Sequence, residues 1–379
     1  MRASSRSEVD PFIVMDVMDA AARKEATGAR VIHMEVGQPG TPAPAGARRA
    51  VAQAMESGAL GYTVALGLPA LRARIAALYA NWYGIELNPD RVIVTPGASG
   101  AFLLAFTGLF EAGERVGLGL PGYPSYRHIL TALSLKVEAF PTAPEHRYQP
   151  VPEDVPEGLA GLIVASPANP SGTMLSRTAL AALVDRARET GAALVSDEIY
   201  HGLHYGDRAV SALEIDDEVI VVNSFSKYFS MTGWRVGWMV VPEAEIRRYE
   251  RLAQNMFICS PHASQIAALA AFDCTAELDA NRDVYAENRR LMLEGLPRAG
   301  LTEIAPPDGA FYIYANVSGV SDDSRALAAR ILDEAGVAVT PGLDFDPARG
   351  HRMLRLSYAG TTADMAEGLE RLADFFKAG

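Results

Sequence analysis

The sequence predicts an α/β protein whose sheet is largely parallel, and three observations carry that expectation. Short apolar runs alternate with helical stretches from about residue 46 to 285: "RVIVT", "RVGLGL", "GLIVASP", "AALVSDE", "VIVVNS" and "RVGWMVV". Runs this short, rich in β-branched side chains and separated by helices, read as strands covered on both faces. Helix punctuation agrees, because Ser176 can cap "RTALAALVDRARET" and Gly191 can end it. Polar residues also gather just after the runs, where open α/β sheets bind their ligands. "VIVT" leads into "PGASG", "GLGL" into "PGYPSY", "LIVAS" into "PANPSG", "ALVS" into "DEIYHG", and "VIVVNS" into "FSKYFS". Such a succession points to one crevice lined from several strand ends.

Taken in order, "PFIVMDVMDAAARKEATG" reads as an amphipathic helix stopped by Gly28, followed by the Gly/Pro-rich link "GQPGTPAPAG". Beyond about residue 285 the order changes: a helix around "AENRRLMLEGL", then "TEIAP", "GAFYIYANV", a helix, "VAVTPG", "HRMLRLSYAG" and a last helix. The expected organisation is an N-terminal arm and part of a small domain over 1–45, a large α/β domain over 46–285, and a small α+β domain over 286–379.

Hydrophobic residues make up 49% of the 379 and charged residues 21%, the balance of an ordinary folded enzyme. A net charge of −12 disfavours nucleic acid, since the overall field repels a polyanion. No run approaches the roughly 18 apolar residues of a membrane span. "MRASSRSEVDPF" has no apolar core, which argues against a signal peptide, so a cytoplasmic location is expected. The two cysteines, Cys259 and Cys274, are too few for a disulfide framework and are expected to be reduced and buried.

Several residues after the strands carry chemistry. "PGASGAF" opening an apolar helix would present the backbone N–H groups of Ala98 and Ser99 to a phosphate, although a plain turn with Ser99 as cap fits equally. "GLGLPG" at 117–122 matches a dinucleotide fingerprint, with Glu138 as its ribose acid, but Pro121 and Pro124 interrupt the helix that fingerprint must start. His201 and His204 have no visible third ligand, so no metal is expected. Lys227 would need desolvation or nearby positive charge to act as a nucleophile, and Arg235 stands eight positions on. Asp197, closing an apolar strand, demands a cationic partner such as a protonated pyridine nitrogen, with Tyr200 close by. Asp197 and Glu198 could equally be an acid pair starting a helix.

"SPANPSG", "SDEIY" and "SFSKYFSMTGWRVGW", in that order and separation, resemble the class I/II aminotransferases among the fold-type I pyridoxal-phosphate enzymes. The likeness runs from "GQP" at 37 to "LRLSYA" at 354. It implies a three-layer fold with a large, mostly parallel domain and a smaller α+β domain, and pyridoxal 5'-phosphate as cofactor. Lys227 would be the Schiff-base lysine and the general acid and base. The phosphate ligands would be Ala98, Ser99, Ser224, Ser226 and Arg235. Tyr123 would stack on the pyridine ring, Asn169 and Tyr200 would bond its phenolic oxygen, and Asp197 its nitrogen. Arg355 would hold the substrate α-carboxylate, with Asn169 beside it and Gly37 closing over it. Tyr62 resembles the tyrosine that reaches the phosphate of a neighbouring subunit, which implies a homodimer with shared active sites.

The resemblance implies ping-pong transamination between an L-amino acid and a 2-oxo acid. A pyridoxal-phosphate C–S β-lyase would use the same Lys227, Asp197 and Arg355. A nicotinamide dehydrogenase rests on "GLGLPG" alone, and the appended DNA-binding module that a non-catalytic regulator on this scaffold usually carries is not expected here. No second arginine for an acidic substrate can be placed.

Overall fold

The computed structural model describes residues 2–378. The segment preceding the large sheet holds α1 (Ile13–Glu25), β1 (Ile32–His33), α2 (Ala45–Ser57) and α3 (Pro69–Tyr83). The large sheet is built from β2 (Val92–Thr95), β3 (Arg115–Leu120), β4 (Lys136–Pro141), β5 (Gly161–Ala165), β6 (Ala193–Asp197), β7 (Ile220–Ser224) and β8 (Gly237–Val240). Its order is β2-β8-β7-β6-β5-β3-β4, and every pairing is parallel except the two made by β8.

Alternation along each strand divides the core in two. Leu162, Val164 and Val221 face one apolar cluster, while Ile163, Ile220 and Val222 face the other. Burial on both faces is why these strands read as continuous apolar runs. The helices α4 (Gly97–Leu109), α5 (Pro124–Ala132) and α6 (Arg177–Thr190) follow β2, β3 and β5. As expected, the Ser176 side chain accepts from Ala179 N, and Gly191 ends α6 in the left-handed region at φ 72°.

A second sheet, β12-β13-β10-β9, is antiparallel and consists of β9 (Ile304–Ala305), β10 (Tyr312–Asn316), β12 (Thr340–Pro341) and β13 (Met353–Ser357). The short strand β11 (Val337–Ala338) pairs in parallel with β1, so the N-terminal segment is tied to the C-terminal part of the chain. Ala21 of α1 packs with Val31, Leu332 and Ala338 on the same side. The expected boundary at 285 falls inside a single helix, Thr275–Arg298, that runs between the sheets. Cys259 and Cys274 are free thiols but only half-buried, a departure from full burial.

Candidate active site

The parallel registers bring the carboxyl ends of β5, β6 and β7 side by side. Ala165 pairs with Asp197, Asp197 with Val222, and Ser224 lies opposite Gly237 of β8. At one end of this row, α4 begins directly after β2. Gly97 takes φ 73°, and a Cβ there would strike the Arg235 guanidinium. A Cβ on Gly237 would meet the backbone of Gly97 and Ala98 at 2.9 and 3.0 Å. Both positions must therefore be bare for the chain and Arg235 to approach this closely.

The N–H groups of Ala98 and Ser99 lie in the first turn of α4, where no side chain caps the helix. The reading of Ser99 as a cap is thereby excluded. Ser224 Oγ donates to Ser226 Oγ at 2.8 Å, and both residues are buried. Arg235 is exposed, gives one N–H to Thr232 O at 2.9 Å, and has no acidic partner among the described residues. A cation, first-turn N–H groups and the remaining hydroxyl proton of Ser226 make a donor set for an anion.

In the middle of the row Asp197 is 5% exposed, and no helix follows it, which removes the reading of a helix-starting acid pair. Tyr126 donates its hydroxyl to Asp197 Oδ2, and Ile199 N donates to Oδ1 at 3.1 Å. Burial pushes the Asp197 carboxyl up to about 6 against the pull of Tyr126, Ile199 and Lys227. Tyr126 escaped the sequence reading, although it sits three residues after Tyr123 and so on the same face of α5.

The Lys227 amine donates to Gly37 O at 2.5 Å and stands 5.6 Å from the centre of the Tyr200 ring. The surrounding protein lowers it to about 7, chiefly by excluding water, with Arg355 and then Arg235 adding to the effect and Asp197 opposing it. Tyr200 is buried and stays protonated far above neutrality because burial disfavours its anion. Tyr123, at the N-cap of α5, meets Phe12 of the arm edge-on at 6.0 Å and is raised by burial.

Arg355 occupies the third position, on β13 of the small sheet. It is 2% exposed and packs against the rings of Tyr312 and Phe345, at 4.5 and 4.7 Å from their centres. It donates to Asn169 Oδ1 at 3.0 Å, to Glu35 O, and to Thr340 Oγ1 at 3.3 Å. Among the described residues its buried Nε has no hydrogen-bond partner, and an oxygen of a carboxylate would suit it. The reading of Arg355 as a surface strand arginine is therefore excluded.

Other candidates fall away. Gly117 and Gly119 lie within β3, and α5 starts only at Pro124, so "GLGLPG" does not open a helix. Glu138 is paired with Arg115. His201 is fixed between Tyr83 OH and Ser166 O at 2.6 and 2.9 Å. Tyr62 is 82% exposed and does not join the other residues within the chain.

Residues 29–372 match the family model described as aminotransferase class I and II. The chain belongs to that family: it is an aminotransferase of the fold-type I α/β group, whose members use pyridoxal phosphate. Among relatives, it is 46% identical to the valine–pyruvate aminotransferase of Mycobacterium tuberculosis over 99% of this chain and 98% of the relative. A crystal structure of an aminotransferase from Mycobacterium tuberculosis superposes with a TM-score of 0.97 at 45% identity, covering 100% of each chain. The aspartate aminotransferase of Thermus thermophilus, solved with maleate, gives a TM-score of 0.92 at 31% identity over 99% of this chain and 100% of that one.

Proposed function

We propose that the crevice binds pyridoxal 5'-phosphate and transfers the amino group of a valine-like L-amino acid to a 2-oxo acid such as pyruvate. The observation that carries this is the row formed by an anion cup, a water-shielded lysine beside a buried carboxylate, and a buried arginine whose Nε has no hydrogen-bond partner among the described residues. These groups fit the cofactor one by one. The groups at Ala98, Ser99, Ser224, Ser226 and Arg235 suit its phosphate, and Asp197 suits a protonated ring nitrogen. Tyr123 suits a ring face, and the hydroxyl of Tyr200 and the amide of Asn169 suit a phenolic oxygen.

When bound, the cofactor supplies an aldehyde carbon that links to amines and a ring that takes up the electron pair left by a departing α-proton. The chain supplies the rest. Arg355 would hold the α-carboxylate with Nε and its fork, oriented by Asn169 and by the rings of Tyr312 and Phe345. Lys227, whose amine the surrounding protein already makes less basic, would take the α-proton on Nζ and return it. Asp197, once a cation lies beside it, would stay ionised and stabilise the positive ring.

The valine-like donor is supported by the relative from Mycobacterium tuberculosis and by the aromatic surroundings of Phe12, Tyr123 and Phe345. Exposed apolar residues support a homodimer in which Tyr62 reaches the partner's phosphate: Met55, Tyr62, Val64, Met256 and Ile258 are all exposed, and His262 Nδ1, 2.9 Å from Gly61 O, ties the segment after Met256 to the one that carries Tyr62. Two free cysteines support a cytoplasmic setting.

A screen of single half-reactions tests the substrate. Valine and alanine should bleach the visible band of the loaded enzyme, with pyruvate restoring it, while aspartate and glutamate should be at least tenfold slower. Equal or faster reaction with the dicarboxylates would reject the proposed donor, and release of ammonia without any 2-oxo acid acceptor would reject amino transfer to that acceptor. Replacing Arg355 by lysine keeps the charge but loses the fork. It should raise the KM for the amino acid roughly 10- to 100-fold, the loss of one charge-assisted contact. An unchanged KM would remove Arg355 from the substrate site.

A further inference from the structure

Tyr312 lies on β10 with 1% exposure and touches both halves of the site. Its hydroxyl is 2.7 Å from that of Tyr200, and the two rings meet edge-on with centres 5.6 Å apart. One face of its ring lies under the Arg355 guanidinium, whose carbon is 4.5 Å from the Tyr312 ring centre and 4.7 Å from that of Phe345. The same hydroxyl packs so closely on Gly37 that any Cβ there would collide with it. Gly37 in turn accepts from the Lys227 amine. A tyrosine in this place is thus held against the groups assigned to the cofactor and to the substrate carboxylate, without being assigned to either.

We propose that Tyr312 is a positioning residue with two separable parts: its ring orients Arg355 for the substrate carboxylate, and its hydroxyl strengthens Tyr200 as a hydrogen-bond donor to the cofactor's phenolic oxygen. This rests on the cofactor reading given above.

Proton counting supports the second part. The two phenols share one contact, and each has a single proton. Burial keeps both protonated, Tyr312 being pushed up to about 12. If Tyr200 directs its proton towards the ring oxygen, the proton in the shared contact must come from Tyr312. A hydroxyl that accepts one hydrogen bond donates another more strongly, because the two dipoles polarise each other. The anionic form of the phenolic oxygen is therefore favoured by Tyr312 through Tyr200.

The ring part has a different cause. A guanidinium buried against aromatic faces gives up hydration for the ring quadrupoles, and packing on them restricts its orientation. Its fork then points in one direction before any carboxylate arrives, which lowers the ordering cost of binding.

Two variants separate these parts. Tyr312→Phe keeps the ring and removes the hydroxyl, whereas Tyr312→Leu removes both. Each is loaded with pyridoxal phosphate, and two quantities are measured: the pH midpoint at which the visible absorption band changes, and the affinity for 3-methylbutanoate, which is valine's skeleton without its amine. Tyr312→Phe should move the midpoint up by about half a unit or more while leaving affinity within about twofold. Tyr312→Leu should move the midpoint and also weaken 3-methylbutanoate about fivefold or more. A titration of the Phe variant identical to that of the wild type overturns the hydroxyl part. Equal loss of affinity in both variants, or none in Tyr312→Leu, overturns the ring part. A wild-type enzyme with no band that borohydride bleaches would overturn the underlying cofactor reading, and this inference with it. Because phenylalanine preserves the packing, the Phe variant keeps the test decisive even where leucine destabilises the fold.

Discussion

Replacing Lys227 by alanine is expected to abolish transamination while leaving the fold intact. The loss should reach at least the 10²- to 10⁴-fold typical of a missing acid–base group, and more because the covalent anchor goes as well. The fold should survive, since Lys227 is half-buried and its amine bonds only Gly37 O across the crevice. Steady-state turnover and far-ultraviolet circular dichroism check both halves, and turnover within tenfold of the wild type would remove Lys227 from the chemistry. The same residue sets a pH dependence. Cofactor-free enzyme should capture pyridoxal phosphate with a rate that rises through about pH 7, whereas an ordinary lysine would place the midpoint above 10. The sign follows from a folded value below the unfolded one. The unfolded chain binds more protons between the two values, so the empty fold loses stability as pH falls from the ordinary lysine range to about 7, and no further below it.

Exchange of Asp197 for asparagine is expected to lower kcat by about 10²- to 10³-fold, with a much smaller change in KM. Asparagine preserves volume, and its carbonyl can still accept from Tyr126, so packing at this 5%-exposed position is kept. What would disappear is the negative charge proposed to face the cofactor's ring nitrogen. Without it the ring has no reason to stay protonated, and the electron pair left by the α-proton is less well stabilised. Single-turnover rates with valine would show the loss in the chemical step itself. A variant within about threefold of the wild type would mean that this carboxylate does not serve the ring. Because burial raises Asp197 to about 6, its ionised form is lost as pH falls through that value in the empty enzyme.

Most of the site was legible because its residues follow strands whose periodicity is unmistakable. Asp197 ends a run of buried residues and Lys227 follows another, so the order of the motifs already implied a shared edge. The residues that escaped belong to elements with weaker signals. Strand β4 alternates poorly: it is one of the two edge strands of the sheet, and much of "KVEAFP" is exposed. Tyr312 sits in "FYIY", where every side chain is buried, so no period distinguishes its face from that of its neighbours. Tyr126 carried a signal in its spacing from Tyr123, but nothing local revealed that its partner would be Asp197, 71 residues away.

Local sequence alone determined the α/β class, the start of one helix at Ser176 and its end at Gly191, and the line of polar residues beyond the strands, because these depend on apolar periodicity and on turn chemistry within a few residues. Only the tertiary structure decided that antiparallel β8 stands between β2 and β7 and sets Gly237 against the start of α4. The same is true of Arg355, which arrives from a separate sheet to bond Asn169. Those arrangements join residues far apart in the chain, and what selects them is the joint burial of two sheet faces and the need of each buried charge for a partner.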